Sequence, residues 1–288
     1  MRAVTDLVII RRMPERSSAG SHRDPVDRAH LTSASRPSPP IHRYPAAPQL
    51  ADLVDRYWIP VWALTRASTQ RTLQHPVCLI VVSNSYARCY GVVRGLSQVT
   101  LDGTGWAVGV LFRPAAGRLV LGRPVSDLVD TMVELRELDA LDGVALADEI
   151  HLAMAADPGA EASHRAAIAA YERALARFVP VDEQGLLINA IIDWLGDHPD
   201  VTRVAEVADA FTLTERSLQR LVLNRVGLTP KWLIQRRRLH DAVGRLKAGD
   251  QDLAGLAAEL GYADQAHFTN DFRAVTGLTP GHYRADQP

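Results

Sequence analysis

The sequence has little of several residue types that would place it in a special class of protein. Among its 288 residues only Cys78 and Cys89 are cysteines, too few for a disulfide framework. No apolar run approaches the roughly 20 residues that a helix needs to cross a bilayer. The apolar start, Leu7–Ile10, is too short for the core of a secretory signal. These features predict a cytoplasmic protein that has no membrane partner.

The sequence also lacks an excess of charge of one sign. Lysine and arginine number 32 against 33 acidic residues, and the formal net charge is −1. Charge alone therefore does not point to nucleic acid or to an acidic partner. Lysine is rare, because Lys231 and Lys247 are the only two. Hydrophobic residues make up 47% of the chain, enough for packed cores, and the length suits about two domains.

Composition divides the chain into three regions. Residues 1–48 hold eight arginines and seven of the 17 prolines, which predicts a disordered basic arm. Residues 49–180 combine short, partly alternating apolar runs with later helical patterns, which predicts a small β-rich sandwich or barrel with trailing helices. Residues 181–288 are almost wholly helical in pattern. The predicted fold class is α+β, with an all-α C-terminal domain.

Aromatic residues are concentrated in the β-rich region. The predicted strands are Trp58–Leu64, Val77–Val82, Tyr86–Val93 and Trp106–Phe112. Five aromatic side chains are either core residues or the lining of an apolar pocket for a small-molecule effector: Trp58, Trp62, Tyr86, Tyr90 and Trp106. Residues 50–112 contain a single histidine, His75, which argues against a catalytic metal of the cupin type. No metal site and no cofactor are predicted.

The most informative feature is an internal repeat with a spacing of 50 residues. Gly227-Leu228-Thr229-Pro230 recurs unchanged as Gly277-Leu278-Thr279-Pro280, and Thr214 corresponds to Asp264 as a helix N-cap residue. Each unit is predicted to be a helix-turn-helix. Residues 230–247 predict one connecting helix of roughly 27 Å. That length is of the order of one DNA turn, about 34 Å.

The second helix of the first unit has two distinct faces. Leu218 and Val222 lie together and are predicted to be buried, whereas Arg216, Gln219 and Arg220 share the opposite side. Arginine can pair with guanine and glutamine with adenine in the major groove. These three residues are therefore predicted to read double-stranded DNA.

The second unit has a smaller and less charged outer face. Phe268 and Phe272 are predicted to be buried, and Gln265, His267 and Asn270 are the candidate DNA contacts. Shape and phosphate contacts suit this face better than base reading.

The connecting helix carries a run of three arginines, Arg236, Arg237 and Arg238. They are candidate phosphate contacts, and a solvated helix face is the alternative.

These residues resemble a known family. Leu256–Phe268, with Phe272-Arg273 and Thr276–Pro280, resembles the second helix-turn-helix of the AraC/XylS family of bacterial transcription regulators. Leu218–Leu221 with Gly227–Pro230 resembles the family's first unit. The resemblance implies a regulator that binds promoter DNA, with RNA polymerase as a partner if it activates. Asn270 departs from the family pattern, because arginine is common there, and a weaker contact in the second groove follows.

A weaker resemblance lies upstream. Leu53–Trp58, Gly109–Pro114 and Leu121-Gly122, followed by Leu128–Asp130, are similar to a β-rich N-terminal domain of some family members. The resemblance implies that this domain senses a ligand or forms a homodimer.

An enzyme attached to a DNA-binding module is the alternative function. It could be a repair protein with a methyl-accepting cysteine or a cupin-like enzyme. Cys78 and Cys89 fit no usual zinc spacing, and a buried structural role suits cysteines in apolar strands. No catalytic residue is predicted, and the regulator is favoured.

Overall fold

The computed structural model describes residues 31, 39–249 and 252–286. Most of the predicted disordered arm, residues 1–30 and 32–38, lies outside the described residues. The strands are β1 (Ile41–Pro45), β2 (Val54–Ala63), β3 (Ser68–Thr72), β4 (Leu79–Ser83), β5 (Ala87–Tyr90), β6 (Ser97–Leu101), β7 (Thr104–Phe112) and β8 (Met132–Glu134).

The helices follow in two groups. The N-terminal group is α1 (Ala116–Leu121), α2 (Gly143–Met154) and α3 (Glu161–Leu175). The C-terminal group is α4 (Glu183–Asp197), α5 (Val204–Ala210), α6 (Glu215–Arg225), α7 (Pro230–Lys247), α8 (Leu253–Glu259), α9 (Gln265–Thr276) and α10 (Pro280–Ala285). Short 3-10 helices span Pro48–Leu50, Val125–Leu128, Leu135–Glu137 and Ala176–Phe178. No described helix combines the length and the apolar character that crossing a membrane requires.

The strands form two antiparallel sheets. Six of them pair in the order β1-β2-β7-β4-β5-β8, and β3 pairs with β6 as a separate ribbon. β1 pairs along its whole length with β2, so the sheet begins at Ile41, and the predicted arm boundary at residue 48 is corrected. A proline at the end of an edge strand is compatible with pairing, because an edge strand has one side without ladder hydrogen bonds.

Alternation along the strands gives the six-stranded sheet two different faces. Tyr57, Ile59, Val108 and Val110 are fully buried in the core that α2 and α3 share with the sheet. The hydroxyl of Tyr171 on α3 donates to the carbonyl of Val108 at 2.9 Å. The opposite face looks toward the ribbon. The predicted β-rich domain with trailing helices is therefore confirmed.

The C-terminal helices form the two predicted helix-turn-helix units, α5–α6 and α8–α9, joined by α7. The α+β fold class is confirmed. The hydrophobic core crosses the predicted boundary at residues 180/181, because Ile188 on α4 and Leu218 on α6 belong to the same buried cluster as the strands. Asn189 adds a polar contact across this boundary, since its side chain accepts from the Ala115 amide at 2.9 Å and donates to the Asp52 carbonyl at 2.7 Å.

Candidate functional site

The recognition helix of the first unit, α6, begins at a side-chain cap. Thr214 Oγ1 accepts a hydrogen bond from the Ser217 amide at 3.1 Å, as the sequence predicted. Leu218 and Val222 are fully buried beneath the helix. A buried face opposite an exposed face fixes which side of α6 can meet a partner.

The three predicted reading residues of α6 are exposed together. Arg216, Gln219 and Arg220 all lie on the side away from the core. The sequence reasoning missed Leu223 on the same side, although its side chain is 49% exposed. Its spacing, four residues after Gln219 and three after Arg220, is the signal that could have found it.

The recognition helix of the second unit, α9, is built in the same way. Asp264 Oδ1 accepts from the His267 amide at 2.7 Å, and Phe268 and Phe272 are fully buried. Arg273 is exposed, and so are all three predicted contacts of this helix: Gln265, His267 and Asn270. The outer face of α9 therefore carries one exposed arginine, Arg273, where that of α6 carries two.

The structure corrects the predicted role of Arg236. This side chain is 2% exposed, and its guanidinium donates to the carbonyls of Val93 at 3.0 Å and Arg94 at 2.5 Å. It also lies over the ring of Trp232, 4.6 Å from the centroid. Burial lowers the pKa of Arg236 to about 10, so the group is charged at neutral pH. Arg236 thus fastens α7 to the N-terminal domain instead of contacting phosphate.

Arg237 and Arg238 fasten the two units to α7. Arg237 donates to the Val201 carbonyl, which precedes α5, at 2.8 Å. The guanidinium of Arg238 stacks on Tyr262 at 3.7 Å from the ring centroid. The sequence predicts this run as phosphate contacts or a solvated face, and in the structure its members hold neighbouring elements in place. These arginines are enclosed because the apolar residues around them on α7 pack into two hydrophobic clusters, one on each side of the helix.

The second recognition helix is also tied to α7 through Asp271. The carboxylate accepts from Gln235 on α7 and from the hydroxyl of Tyr262, the latter at 2.7 Å. Both recognition helices are consequently positioned by one connecting helix.

The first unit is held against α4 and, at Gly227, against the N-terminal domain. Arg225, at the end of α6, donates to both carboxylate oxygens of Asp182 at 2.6 and 2.7 Å. Asp182 is the N-cap of α4, where it accepts from the Gly185 amide at 2.7 Å. Gly227 has φ +86, and a Cβ there would lie 2.9 Å from the Ser126 amide nitrogen. This close approach leaves no room for a side chain.

A cavity of about 460 Å³ lies between the six-stranded sheet and the β3–β6 ribbon. Four of the five predicted pocket residues line it: Trp58, Trp62, Tyr86 and Tyr90. The ribbon and the segment after β3 contribute polar side chains that the sequence reasoning missed: Gln70, Thr72, Gln74, His75, Gln98 and Thr100. The cavity thus has an aromatic wall and a wall of amides and hydroxyls.

Glycines on β7 make room for the two tryptophans. Trp58 pairs with Gly109 and Trp62 with Gly105 across the strands. A Cβ at Gly109 would lie 2.1 Å from Trp58 Cε2. The indole rings therefore cover these glycines, which fixes the aromatic wall.

Trp106 lies outside the cavity, and the prediction for it is corrected. It shares the buried face of β7 with Val108 and packs edge-on against His151 with the ring centroids 5.6 Å apart. The period of two along the strand places it on the helix side.

Among the described residues, the arginine that lines the cavity, Arg88, is already in an ion pair. Arg88 donates to Glu134 at 2.8 Å and lies 4.9 Å from the centroid of Tyr86. Burial, with the neighbouring Tyr90, raises the pKa of Tyr86 to about 12, so its hydroxyl is neutral.

The two cysteines are buried and reduced. Burial raises the pKa of Cys78 well above its usual value and that of Cys89 to about 12. Within the described residues, no group of three or more His, Cys, Asp or Glu side chains is arranged to hold a metal ion.

Comparison with known families matches two parts of the chain. Residues 207–286 match a family described as a helix-turn-helix domain, and residues 42–134 match a domain of unknown function, DUF6597. The first match contains both recognition helices, and the second contains most of the β-rich domain.

Curated relatives match the C-terminal part. The HTH-type transcriptional activator RhaS of Escherichia fergusonii is 35% identical over 98 residues, 34% of this chain and 35% of the relative. RhaS of Pectobacterium carotovorum is 30% identical over a stretch of the same length. The match therefore spans about a third of the length of these relatives.

Solved structures give more distant likenesses. A structure of ToxT from Vibrio cholerae has a TM-score of 0.41 at 12% identity, covering 86% of this chain and 99% of that one. The xylose-binding transcription activator XylR has a TM-score of 0.32 at 18% identity, covering 44% of this chain and 40% of that one.

Proposed function

The C-terminal part of this chain belongs to the AraC/XylS family of helix-turn-helix regulators, and from this premise we propose that the protein binds specific DNA sequences and regulates transcription. One observation carries the proposal. Two capped recognition helices, α6 and α9, expose their polar faces while α7 fixes both of them. Such an arrangement fits two successive major grooves of one DNA duplex.

The first unit supplies the base contacts in this proposal. Arg216 and Arg220 have the reach for bidentate pairing with guanine, and Gln219 for adenine. His267 and Asn270 on α9 make fewer contacts. These are mainly with phosphate groups, and they recognise the shape of the DNA rather than its bases. Because arginine pairing with phosphate releases counterions, binding weakens steeply as salt rises.

Capture of genomic fragments by the purified full chain, followed by sequencing, tests this function. We expect a shared sequence in the captured fragments, called the operator below, and loss of its enrichment in the Arg216→Ala/Arg220→Ala double variant. Arg173→Ala is the matched control, because Arg173 is an exposed arginine on α3, outside both recognition helices. Fragments without a common sequence would contradict the proposal.

We also propose that the cavity binds a small-molecule effector that is uncharged and largely apolar. The aromatic wall and the paired state of Arg88 support this chemistry, and amides such as Gln70 and Gln98 would orient the polar groups of the ligand. N-phenyl-1-naphthylamine, an uncharged fluorescent aromatic probe, tests it. We expect saturable fluorescence with the full chain and weaker binding after Trp62→Ala. Equal binding by both proteins would contradict the assignment of the site.

Self-association is the third part of the proposal. Val144 and Leu152 on α2 are exposed, Leu152 at 79%, which suits a homodimer contact. Sedimentation of the full chain and of Leu152→Arg at micromolar concentration tests this, and a monomer in both samples would contradict it. If the protein activates transcription, RNA polymerase in the cytoplasm is a further partner.

The proposal assigns no catalysis to the protein. A methyl-accepting role would need an accessible thiolate, and burial of Cys78 and Cys89 opposes both accessibility and ionisation. Incubation with alkylated DNA tests this point, and methyl transfer to either cysteine would favour the enzyme alternative.

A further inference from the structure

Leu223 stands at the centre of the exposed face of α6. It follows Arg216 by seven residues, close to two helical turns, and lies between the directions of Gln219 and Arg220 around the helix axis. Its side chain is 49% exposed, whereas Leu218 on the same helix is fully buried. A large apolar group thus sits among three polar side chains on the surface that faces DNA in the proposed function.

The chemistry of the major groove limits which group of the DNA this leucine can contact. Base edges there carry hydrogen-bond donors and acceptors, which a leucine cannot satisfy, and the apolar group is the C5-methyl of thymine. Covering polar edges with an apolar side chain carries a desolvation cost. Resting on the proposed function, we propose that Leu223 is a specificity-determining residue that contacts a thymine methyl in the half-site under α6.

Replacement of thymine by deoxyuridine, which removes only the methyl group, tests this contact. With the wild-type chain, deoxyuridine at one or two thymines of the operator should weaken binding about fourfold, the worth of one buried methyl group. With Leu223→Ala, the two operators should bind equally. Leu223→Met keeps an apolar side chain of similar length and should keep the discrimination, and so should Arg173→Ala, the exposed control on α3.

The outcomes distinguish a failure of the leucine contact from a failure of the proposed function. A wild-type chain that binds the operator but shows no deoxyuridine effect overturns the leucine contact alone. So does an effect that persists in Leu223→Ala. Failure to find any operator overturns the proposed function and the contact together.

A second inference comes from the β3–β6 ribbon, which forms one wall of the cavity. Thr72 and Ser97 are paired at the last step of the ribbon, and both line the cavity. The adjacent residues, Leu73 and Leu96, pack in the hydrophobic cluster of the second helix-turn-helix unit, where Leu73 is fully buried. One end of the ribbon therefore belongs to the core of the DNA-binding part.

The segment after β3 repeats this double contact. Gln74 and His75 line the cavity, and both touch His240 on α7. The rings of His75 and His240 are stacked with centroids 4.6 Å apart and planes 7° from parallel, and His240 Nε2 lies 3.4 Å from the Gln74 carbonyl. A ligand in the cavity would press on residues that position the connecting helix.

The ribbon can respond to a ligand in the cavity because, among the described residues, its two strands pair only with each other. Its two strands form a separate sheet, with no ladder to the six-stranded sheet within the described residues. Resting on the proposed effector site, we infer that residues 72–77 and the adjoining end of β6 couple cavity occupancy to the placement of α7 and the second recognition helix.

Reciprocal binding measurements on the full chain test the coupling, with N-phenyl-1-naphthylamine as the cavity probe and the operator as DNA. Saturating probe should change the DNA dissociation constant by about fivefold or more, and DNA should change the probe constant by the same factor. His240→Ala and Leu73→Ala should bring this factor toward one, while each ligand binds alone. His240→Phe, which keeps a stacked ring, and Leu73→Met, which keeps the volume, should retain it.

Each result decides something. A factor of one in the wild-type chain with both ligands bound overturns the coupling, as does an unchanged factor in His240→Ala. If Leu73→Ala loses its helical circular dichroism signal, the comparison of His240→Ala with His240→Phe tests the coupling instead. Absence of probe or DNA binding appears in the single titrations and overturns the proposed function instead.

Discussion

The two helix-turn-helix units share a frame and differ in what they present. In both, a threonine or aspartate caps the recognition helix, at Thr214 and Asp264. In both, a glycine with positive φ follows that helix, Gly227 with φ +86 and Gly277 with φ +74. The outer faces have diverged: α6 exposes two arginines and a glutamine, and α9 exposes a glutamine, a histidine, an asparagine and one arginine. Packing and capping constrain the frame of a duplicated unit, whereas only a partner constrains its outer face.

The units also differ in how they are attached to the rest of the chain. The first is docked by the ion pair between Arg225 and Asp182 and by the close approach at Gly227. The second is docked through α7 and Leu73. Leu73 therefore gives the N-terminal domain a contact with the core of the second unit that is separate from the contacts that dock the first.

The largest expected effect contrasts the cores of the two units at equivalent positions. Phe272→Ala in the second unit removes a fully buried ring and should lower the free energy of unfolding by about 3–5 kcal/mol. Val222→Ala in the first removes two buried methyl groups, worth about 1.6 kcal/mol before any cavity cost. Urea denaturation followed by circular dichroism measures both. Equal losses would mean that the aromatic cluster is not what holds the second unit.

The next effect concerns the attachment of the first unit. Arg225→Met removes two hydrogen bonds to a carboxylate and should lower the free energy of unfolding by about 2 kcal/mol, since Asp182 is 47% exposed and water screens the pair. Burial raises the pKa of Asp182, but hydrogen bonds from Arg225 and the Gly185 amide outweigh it and lower the pKa overall.

The sign of that pKa shift gives the pH dependence. The stabilisation is complete above the pKa of an unfolded aspartate, about 3.9, and is lost as pH falls through the lower folded value. The difference in stability between wild type and Arg225→Met should therefore shrink between pH 7 and pH 3. Arg165→Met, at an exposed pair with Glu161, should show almost no difference at either pH. A gap that stays constant would mean that the Asp182 pair is not its source.

The third effect is on DNA. Arg220→Ala should cost about 1–3 kcal/mol of binding and relax the preference at one base pair, as expected for loss of a bidentate contact. Arg220→Lys, which keeps the charge but loses the planar fork, should retain salt-sensitive affinity and lose the base preference. Binding to a library of single-base operator variants at fixed salt measures both. A uniform loss over all sequences would make Arg220 a phosphate contact.

The sequence predicted the frame well because its signals are local. The N-caps at Thr214 and Asp264 and the helix Pro230–Lys247 follow from neighbouring residues alone, and the structure has them as predicted. Four of the five aromatics that were named as core or pocket residues, among them Trp58 and Trp62, line the cavity.

The parts that the sequence could not predict depend on distant residues. The ribbon strands β3 and β6 are polar, with sequences STQRT and SQVTL, so no apolar alternation marks them. In the sequence Arg236 resembles a surface arginine. Its burial depends on the carbonyls of the distant residues 93–95, which surround it in the structure. Trp106 was assigned to the cavity by residue type, although its period-two relation to Val108 points to the opposite face. Tertiary contacts outweigh local pattern for the ribbon and for Arg236, whereas at Trp106 the local pattern was right and residue type misled.

The smallest expected effect concerns the second helix-turn-helix unit. Asn270 is exposed on α9 without a charge, and an asparagine that contributes shape or phosphate contacts adds little discrimination. Asn270→Ala should cost less than about 1 kcal/mol and leave the base preferences unchanged. Asn270→Arg should instead raise affinity at low salt and steepen the salt dependence, because it adds a phosphate-pairing charge to the weaker unit. The same operator library measures both variants. If Asn270→Ala reshapes the preferences under α9 while Arg220→Ala leaves those under α6 intact, the second unit is the one that reads the sequence.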